Sequence, residues 1–478
     1  MAEKRTYLSR VVVKAMGLFS GVQALNILCS VVRCKLVAMW IGPAGIGLFA
    51  IWNSALDMIN TATNLGVRSS SVRDISADVS MGDRAAISRV VTVVRRWSLW
   101  LGVAGALLTM AFAPLLSRIS FGDDRHVFGF VALSVAVFVM SLSNGEQAIL
   151  QGTSMLARLA KATASGTVAG LVISVPLFYF LRVDSVLLSV IVCAVCSALF
   201  AFVYRNREYP RAPLTNREVM AQGGAFVRLG IFMTVGALLA LVSNYAFVAY
   251  LNWQGGEELV GYYQASYTLA NKYVGLVLAA LGMEYYPRLS RVATSRLRLG
   301  LFTSQEINIT LAVLTPMVMV MILLRQVVVH LLYTPQFEVV FTCLTWMLVG
   351  MVLRAISWCI SFVILAKGDG KAYIVTESLS VAVGFALNVI GYSRYGLAGL
   401  GFSFVLWYVI YNVIVAAVIF GKYKMRLHRS VWGNMAASVA LSVACAAMVE
   451  CGQYAVAVAL AAVAIIMGFV LMRKHLHL

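Results

Sequence analysis

The chain has 478 residues, of which 61% are hydrophobic and only 12% charged, and its mean hydropathy is +0.87. This composition excludes a soluble domain and makes lipid the solvent for most of the chain. The formal charge of +19 does not indicate a nucleic-acid partner, because the basic residues are distributed as in the loops of a membrane protein.

Apolar stretches of the length of one membrane crossing recur along the whole chain. A helix needs about 20 apolar residues to cross the hydrocarbon, and the alternating pattern of barrel strands is missing from the sequence. We therefore predict an all-α polytopic membrane protein with fourteen transmembrane helices. The predicted spans are 15–38, 47–66, 93–116, 128–150, 162–181, 185–204, 226–250, 260–283, 308–330, 341–366, 372–391, 398–420, 433–450 and 453–472.

Basic residues are distributed unequally between the two sides of these spans. Twenty-six Lys and Arg residues lie on the side of the N-terminus, and five lie in the opposite loops. Cytoplasmic loops carry the excess of basic residues, so both termini are predicted to be cytoplasmic. An even number of spans agrees with this orientation. The longest predicted loops are the basic segments 67–92 and 205–225.

The segment 205–225 divides the first twelve spans into two sets of six. It carries Pro210, Pro213 and a run of charges, which is typical of a linker. Paired halves are common in transporters, in which one bundle rocks against the other around a site near the midplane. We predict a six-helix lobe over residues 1–210, a second six-helix lobe over 211–425 and two additional helices over 426–478.

The sequence lacks signatures of catalysis and of nucleotide or metal binding. It contains no GxxxxGK[ST], HExxH or GxSxG motif. The eight cysteines lie inside or at the ends of apolar spans, and the five histidines form no cluster. We therefore expect a protein that is not an enzyme, with no catalytic residue, no metal and no cofactor.

Polar and charged side chains inside five spans repeat at spacings of three and four residues, which place each set on one helix face. A charge within the bilayer is costly, so it usually faces a cavity and is a candidate for function. The candidates for one polar cavity are Arg33, Lys35, Asn53, Asp57 and Asn60 in the first half, and Gln264, Asn271, Lys272, Arg354 and Glu377 in the second.

These stripes also have structural interpretations. Asn, Ser and Thr often only bond one helix to another, and a cation near the end of a span can extend to the headgroups, which applies best to Lys35, Arg95 and Arg96. Arg33 and Lys35 point about 200° apart, so at most one faces the cavity, and the choice between them stays open. The acids available as counter-charges are Asp57, Glu146 and Glu377.

The charge balance inside the spans favours an anionic substrate. Four cations (Arg33, Lys35, Lys272 and Arg354) stand against the three acids. Arg bonds phosphate oxygens in bidentate fashion and Lys acts as a mobile point charge, so a diphosphate headgroup suits this lining. Asn and Gln, together with Trp52, Tyr263 and Tyr267, suit the hydroxyls and ring faces of sugars.

Several short segments, taken in order and at their spacing, resemble one family of membrane proteins. They are 35–38 (KLVA), 42–48 (GPAGIGL), 260–265 (VGYYQA), 286–290 (YPRLS), 348–354 (LVGMVLR), 364–367 (ILAK) and 376–377 (TE). Together they resemble the Wzx-type flippases of O-antigen and enterobacterial common antigen. The superfamily of these flippases also holds the multidrug MATE exporters and the lipid II flippase.

The resemblance implies two MATE-like lobes in a bacterial inner membrane that open alternately to the two sides. It implies transport of an undecaprenyl-diphosphate-linked oligosaccharide from the cytoplasmic to the periplasmic leaflet, as in lipopolysaccharide synthesis. The implied partners are that glycan, membrane lipids and, as further candidates, a polysaccharide polymerase and a chain-length regulator. Lys35 and Glu377 match family positions and Arg354 replaces a Lys, whereas Asn271 replaces an acid and Lys272 is gained.

Two other transport functions stay open. A MATE-like antiporter of cationic drugs is disfavoured because its cavity should be net acidic, and a lipid II flippase would share the fold and an anionic headgroup. A membrane enzyme would need a large outward loop or an acidic motif.

The predicted topology can be tested at the C-terminus. A reporter that is active only in the periplasm, fused after Leu478, should give no signal, because the basic loops hold both termini in the cytoplasm. The same reporter inserted between Asp123 and Asp124, in a loop predicted to face outward, should be active and serves as the control. A bright signal at Leu478 would mean an odd number of crossings.

Overall fold

The computed structural model describes residues 2–64, 66–81, 83–210 and 212–476, and its regular structure there is helical. Fifteen α-helices follow one another in these ranges, with no β-strand among them. Helices satisfy their backbone hydrogen bonds within one segment, which hydrocarbon demands of any element that crosses it. The predicted all-α class is confirmed.

The chain forms two compact units, Met1–Val260 and Gly261–Leu478. The predicted division at residues 210 and 425 stays a prediction. In the first unit α6 packs against α4 and α8, and α7 packs against α1 and α8. The helices of this unit are α1 (Ala2–Trp40), α2 (Pro43–Asn64), α3 (Val67–Met81), α4 (Arg84–Ala111), α5 (Ala113–Phe121), α6 (Val127–Gly152), α7 (Leu156–Leu181), α8 (Ser185–Val203) and the first part of α9 (Asn216–Arg291).

The second unit is arranged around α10 and α12. Helix α12 packs against α10 and α13, and α14 and α15 pack against α10 and against each other. Besides the end of α9, its helices are α10 (Arg296–Leu323), α11 (Arg325–Leu332), α12 (Phe341–Ala366), α13 (Gly370–Ala417), α14 (Arg429–Glu450) and α15 (Tyr454–Leu476).

Helices α9 and α13 are each interrupted by one glycine in the left-handed backbone region. Gly256 has φ +71° and Gly396 has φ +58°, conformations that glycine adopts at little cost because it lacks a Cβ. Each interruption falls between two predicted spans, 226–250 and 260–283 in α9, and 372–391 and 398–420 in α13.

Ten helical stretches within the described ranges are long and apolar enough to cross a membrane, so the chain is a multi-pass membrane protein. Two of them, Leu156–Val203 with 48 residues and Gly370–Lys422 with 53, are more than twice the length of about 20 residues that one crossing needs. Helix α2 is not among the ten and carries Asn53, Asp57 and Asn60. The number of fourteen crossings therefore stays a prediction.

The structure corrects the prediction of a loop over residues 67–92. Residues 67–81 form α3, and α4 begins at Arg84, where the Asp83 carboxylate accepts hydrogen bonds from the Ala85 and Ala86 amides at 2.9 and 3.1 Å. Ile75, fully buried, packs α3 against α4 and α6. Helix α3, with 15 residues, is shorter than one membrane crossing, whereas α4 is one of the ten stretches that are long and apolar enough to cross.

Helix α15 approaches α10 closely at a proline. Pro316 has no amide hydrogen, so it cannot bond the carbonyl of Ala312 four residues earlier. Gly468 lies against that carbonyl, and a Cβ built on Gly468 would collide with the Ala312 oxygen. Asn434 on α14 adds a hydrogen bond to Asn308 on α10 at 2.9 Å. The last two helices are thus fitted to α10 by shape and by polar contact.

Gly468→Ala should destabilise the protein, because its methyl group would collide with backbone that cannot give way. We expect a loss of about 1–3 kcal/mol, which is typical of overpacking, read as a lower melting temperature of the detergent-purified protein. Gly433→Ala is the matched control, since a Cβ there has no neighbour within 4 Å and alanine is the better helix former. Equal melting temperatures for the two variants would contradict the proposed contact.

Candidate functional site

A cluster of polar and aromatic side chains in the second unit is centred on Arg354 of α12. The Arg354 Nη1 donates a hydrogen bond to Oδ1 of Asn271, and its guanidinium carbon lies 5.9 Å from the centre of the Tyr408 ring. The Asn271 amide donates in turn to the carbonyl of Tyr267 at 3.0 Å, which leaves its oxygen directed at the arginine. The cation is therefore held by neutral groups.

The cluster also contains an acid, Glu377 of α13. Its carboxylate accepts a hydrogen bond from the hydroxyl of Tyr411, and Tyr408 lies on the same helix face as Tyr411, three residues before it. Glu377 is close enough to interact electrostatically with Arg354. Among the described residues, however, neither side chain forms a direct ion pair.

Three members of this cluster are residues that the sequence predicted to line one polar cavity. Asn271, Arg354 and Glu377 come together from three different helices, α9, α12 and α13. The sequence reasoning missed Tyr408 and Tyr411. Their signal is the spacing of three residues within a predicted span, but in a hydropathy pattern tyrosine is not distinguished from other large aromatic residues.

Two further predicted residues of the second unit lie on α9. Gln264 is partly buried and donates to the Thr268 hydroxyl at 3.3 Å, one turn along the same helix. Lys272 follows Asn271, is partly exposed and has interaction partners of its own. Their role in binding a ligand stays a prediction.

The two cations of the first unit that were predicted to line the cavity, Arg33 and Lys35, lie on α1. The Arg33 guanidinium carbon is 5.8 Å from the centre of the Phe49 ring, and its Nε is buried without a hydrogen-bond partner in the described part of the chain. Lys35 is partly exposed and has interaction partners. Asn53 donates to the carbonyl of Phe49 at 2.6 Å. The choice between Arg33 and Lys35 stays open.

The other two predicted residues of α2 differ in their surroundings: Asp57 is exposed within this unit, whereas Asn60 is bonded to other side chains. The side-chain oxygen of Asn60 accepts from the amides of Asn64 and, at 3.5 Å, Asn144 on α6, while Asn64 accepts from the Ser141 hydroxyl at 2.9 Å. Asn60 thus joins α2 to α6, which agrees with the interpretation that polar residues in such stripes bond one helix to another. Its contact with a ligand stays a prediction.

The structure corrects the expectation that Glu146 counters the cavity cations. Its carboxylate forms a bidentate ion pair with Arg95 on α4, with distances of 2.7 Å to Nε and 3.1 Å to Nη2. The two side chains, Arg95 and Glu146, are only 18% and 5% exposed. Arg95 Nη2 also donates to the carbonyl of Asn206 at 2.8 Å. Glu146 is therefore part of the core of the first unit.

Extension to the headgroups was an alternative interpretation for Arg95 and Arg96, but in the structure both side chains bond the chain's own backbone. Arg96 Nη1 donates to the carbonyl of Leu214 at 2.8 Å. Two neighbouring α4 residues bind the same segment: Thr92 accepts from the Ala212 amide at 2.9 Å, and Trp97 donates to the carbonyl of Val219 at 3.0 Å. The predicted linker 205–225 is thus attached to α4 along much of its length.

A second polar cluster lies where α12 ends and α13 begins. Asp369 caps α13 by accepting from the Ala372 amide at 3.1 Å, and it also binds Lys422 and the Tyr423 hydroxyl. These hydrogen bonds lower the pKa of Asp369 to about 2, and the bond from Lys422 has the largest effect. The carboxylate therefore stays charged at any physiological pH and ties together the two ends of the α13 segment.

The described residues contain no group of three His, Cys, Asp or Glu side chains that is placed to hold a metal ion. The second-unit cluster itself offers one guanidinium, one carboxylate, amides and phenols. Guanidinium and carboxylate groups are able to pair with ions, and amides and phenols are able to hydrogen-bond hydroxyl groups.

The helices and their apolar lengths define a multi-pass helical membrane protein. The chain belongs to the polysaccharide biosynthesis protein family, whose model matches residues 36–342. It is similar to the lipid III flippases of Escherichia coli (strain K12) and Shigella flexneri, each 22% identical over 398 residues, which are 80% of this chain and 92% of the relative.

Solved structures show the same fold at low sequence identity. A multidrug resistance MATE family transporter in the inward-facing conformation superposes with a TM-score of 0.69, 16% identity and coverage of 84% of this chain and 94% of that chain. The lipid II flippase MurJ in an inward closed conformation gives 0.67, 13% identity and coverage of 96% and 100%. The predicted MATE-like architecture is confirmed at the level of fold.

Glu146→Ala should strongly destabilise the first unit, because Arg95 would remain buried without its counter-charge. We expect a loss of about 3–5 kcal/mol, measured as a large fall in the melting temperature of the purified protein. Glu208→Ala is the matched control. The Glu208 and Arg158 side chains, which form an ion pair, are 55% and 44% exposed, so loss of this pair should cost about 0–1 kcal/mol. Similar effects of the two substitutions would show that the buried pair is not structural.

Proposed function

We propose that this protein is a flippase that moves an undecaprenyl-diphosphate-linked oligosaccharide, an O-antigen or related repeat unit, from the cytoplasmic to the periplasmic leaflet of the inner membrane by alternating access. The observation that carries the proposal is Arg354, a cation inside the helices that neutral groups hold in place. Family membership and the similarity to lipid III flippases support the same substrate class.

The charge argument follows from the cost of moving a diphosphate through hydrocarbon. A headgroup with about two negative charges cannot leave water unless fixed cations replace its hydration. Toward the described residues, Arg354 donates hydrogen bonds through Nη1 alone, so donors on the other guanidinium nitrogens are left for phosphate oxygens. Since Glu146 is bound to Arg95, the acids that oppose the proposed lining are Asp57 and Glu377.

The glycan part of the substrate is assigned to the aromatic side chains around Arg354. Tyr267 and Tyr263 lie 5.8 Å apart on α9, and Tyr408 and Tyr411 lie 6.3 Å apart on α13, measured between ring centres. Rings of this kind offer apolar faces, and their hydroxyls offer hydrogen bonds, as in many small-molecule sites. We propose Arg33, Lys35, Asn53, Asp57, Asn60, Gln264, Asn271 and Lys272 as further substrate-binding residues.

A MATE-like antiporter of cationic drugs is the weaker alternative. Such a substrate would meet Arg354 as a like charge, and the Glu377 carboxylate that could attract it is already bonded to Tyr411. A lipid II flippase fits the lining equally well, and only the identity of the glycan separates it from the main proposal.

A polysaccharide polymerase and a chain-length regulator are proposed as partners, because both act on the translocated product.

Arg354→Ala should abolish glycan export while the protein still accumulates in the membrane, because the fixed cation for the diphosphate is lost. Arg354→Lys should retain part of the activity, since charge matters beyond the fork geometry. The measurement is complementation of a deletion strain at native expression, with mass analysis of the lipid-linked glycan that accumulates. Arg118→Ala is the control, because Arg118 is 66% exposed and its ion pair is with the exposed Asp124.

The same strain separates the alternatives. Accumulation of a repeat unit of a surface polysaccharide supports the proposal, whereas accumulation of lipid II with cell lysis supports the lipid II alternative. Full complementation by Lys35→Ala, Lys272→Ala and Arg354→Ala, each tested alone, would disprove the cationic lining.

A further inference from the structure

Arg354 and Glu377 carry opposite charges on the neighbouring helices α12 and α13, yet each is bonded to a neutral group. Asn271 of α9 accepts from the guanidinium, and Tyr411 donates to the carboxylate. The two charges are close enough to influence each other. In the part of the chain that the structure describes, they do not form an ion pair within 4.0 Å.

A direct Arg354–Glu377 pair would be the expected arrangement if these residues were purely structural. Arginine and carboxylate groups form strong bidentate pairs, as Arg95 and Glu146 do in the first unit of this same chain. Such a pair would occupy the guanidinium donors and cancel the positive charge. It would compete directly with any anion that approaches Arg354.

We propose that Tyr411 is a positioning residue: its hydroxyl holds the Glu377 carboxylate away from Arg354 and so keeps the guanidinium available to the anionic headgroup. The inference rests on the proposed function, in which Arg354 binds a diphosphate. It assigns to Tyr411 a role that acts through Glu377 and requires no contact with the substrate.

The position of Tyr411 in the fold supports this role. It lies in the second half of α13, after the interruption at Gly396, whereas Glu377 lies in the first half. Tyr408, three residues before Tyr411, places its ring against the Arg354 guanidinium, so one helix face contacts both charged groups. This face presents an aromatic ring to the cation and a hydroxyl to the anion.

The test measures binding of inorganic diphosphate to the purified full-length protein by calorimetry, together with glycan export in the deletion strain. Tyr411→Phe should weaken diphosphate binding about tenfold, because the freed carboxylate pairs with Arg354. Adding Glu377→Gln to Tyr411→Phe should restore binding to within about threefold of the wild type, since the competing charge is gone. Tyr395→Phe, at a 69% exposed tyrosine of the same helix, is the matched control and should bind as the wild type does.

Glu377→Gln alone gives a measurement that does not depend on the Tyr411 variant folding well. The side-chain amide introduced by this substitution keeps an acceptor for the Tyr411 hydroxyl and removes the negative charge, so diphosphate should bind at least as tightly as in the wild type. Weaker binding by this variant would mean that Glu377 itself supports the ligand, and the inference would be wrong.

The remaining outcomes separate the inference from the proposed function. Unchanged binding by Tyr411→Phe, with binding lost in Arg354→Ala, would disprove the role of Tyr411 and leave the flippase proposal standing. Weak binding by Tyr411→Phe that Glu377→Gln does not rescue would show that Tyr411 contacts the ligand directly, which also overturns the inference. Unchanged binding by Arg354→Ala would remove the diphosphate site itself.

Discussion

Hydrocarbon cannot supply hydrogen bonds, and this one constraint accounts for most of what the chain does with its polar groups. Backbone groups are satisfied within helices, and hydroxyls inside the spans bond back to carbonyls of the preceding turn, as Thr109 does to Gly105 at 2.7 Å and Ser174 to Gly170 at 2.6 Å. The same constraint brings Arg95 into a bidentate pair with Glu146. A charge that stays inside the spans without such a pair therefore requires another reason for being there.

Helix positions could be predicted from the sequence because the bilayer fixes their length and polarity at once. The interruptions at Gly256 and Gly396 fall between predicted spans, since a short polar or glycine-containing segment has to separate two crossings. Helix α3 was not predicted, because among its described side chains the buried apolar core contains Ile75 alone, which leaves no hydropathy signal. The fit of Gly468 over the carbonyl freed by Pro316 joins residues far apart in the chain, which periodicity along the sequence cannot predict.

The candidate site shows the same limit at the level of side chains. Spacing of three and four residues assigns a residue to a helix face, and three residues selected in this way, Asn271, Arg354 and Glu377, lie near one another in the structure. It does not say which neighbour that face meets. Glu146 was therefore expected to counter the cations of the cavity, although its partner is Arg95 on α4. Tyr411 was missed because its importance lies in one hydroxyl, which a scale of residue hydropathy does not register.

The surroundings of Arg95 and Arg354 differ so much that we infer different roles for these two arginines. Arg95 meets a carboxylate with two nitrogens and a backbone carbonyl besides, so its charge and donors are used within the protein. Arg354 meets one amide oxygen, a thioether sulfur at 3.9 Å and an aromatic face, and the nearby carboxylate of Glu377 is bonded elsewhere. A guanidinium inside the spans without a paired carboxylate destabilises the fold, so stability alone does not explain its presence. The guanidinium of Arg354, unlike that of Arg95, therefore keeps a positive charge and hydrogen-bond donors that the protein itself does not use, which is what the proposed binding of a diphosphate requires.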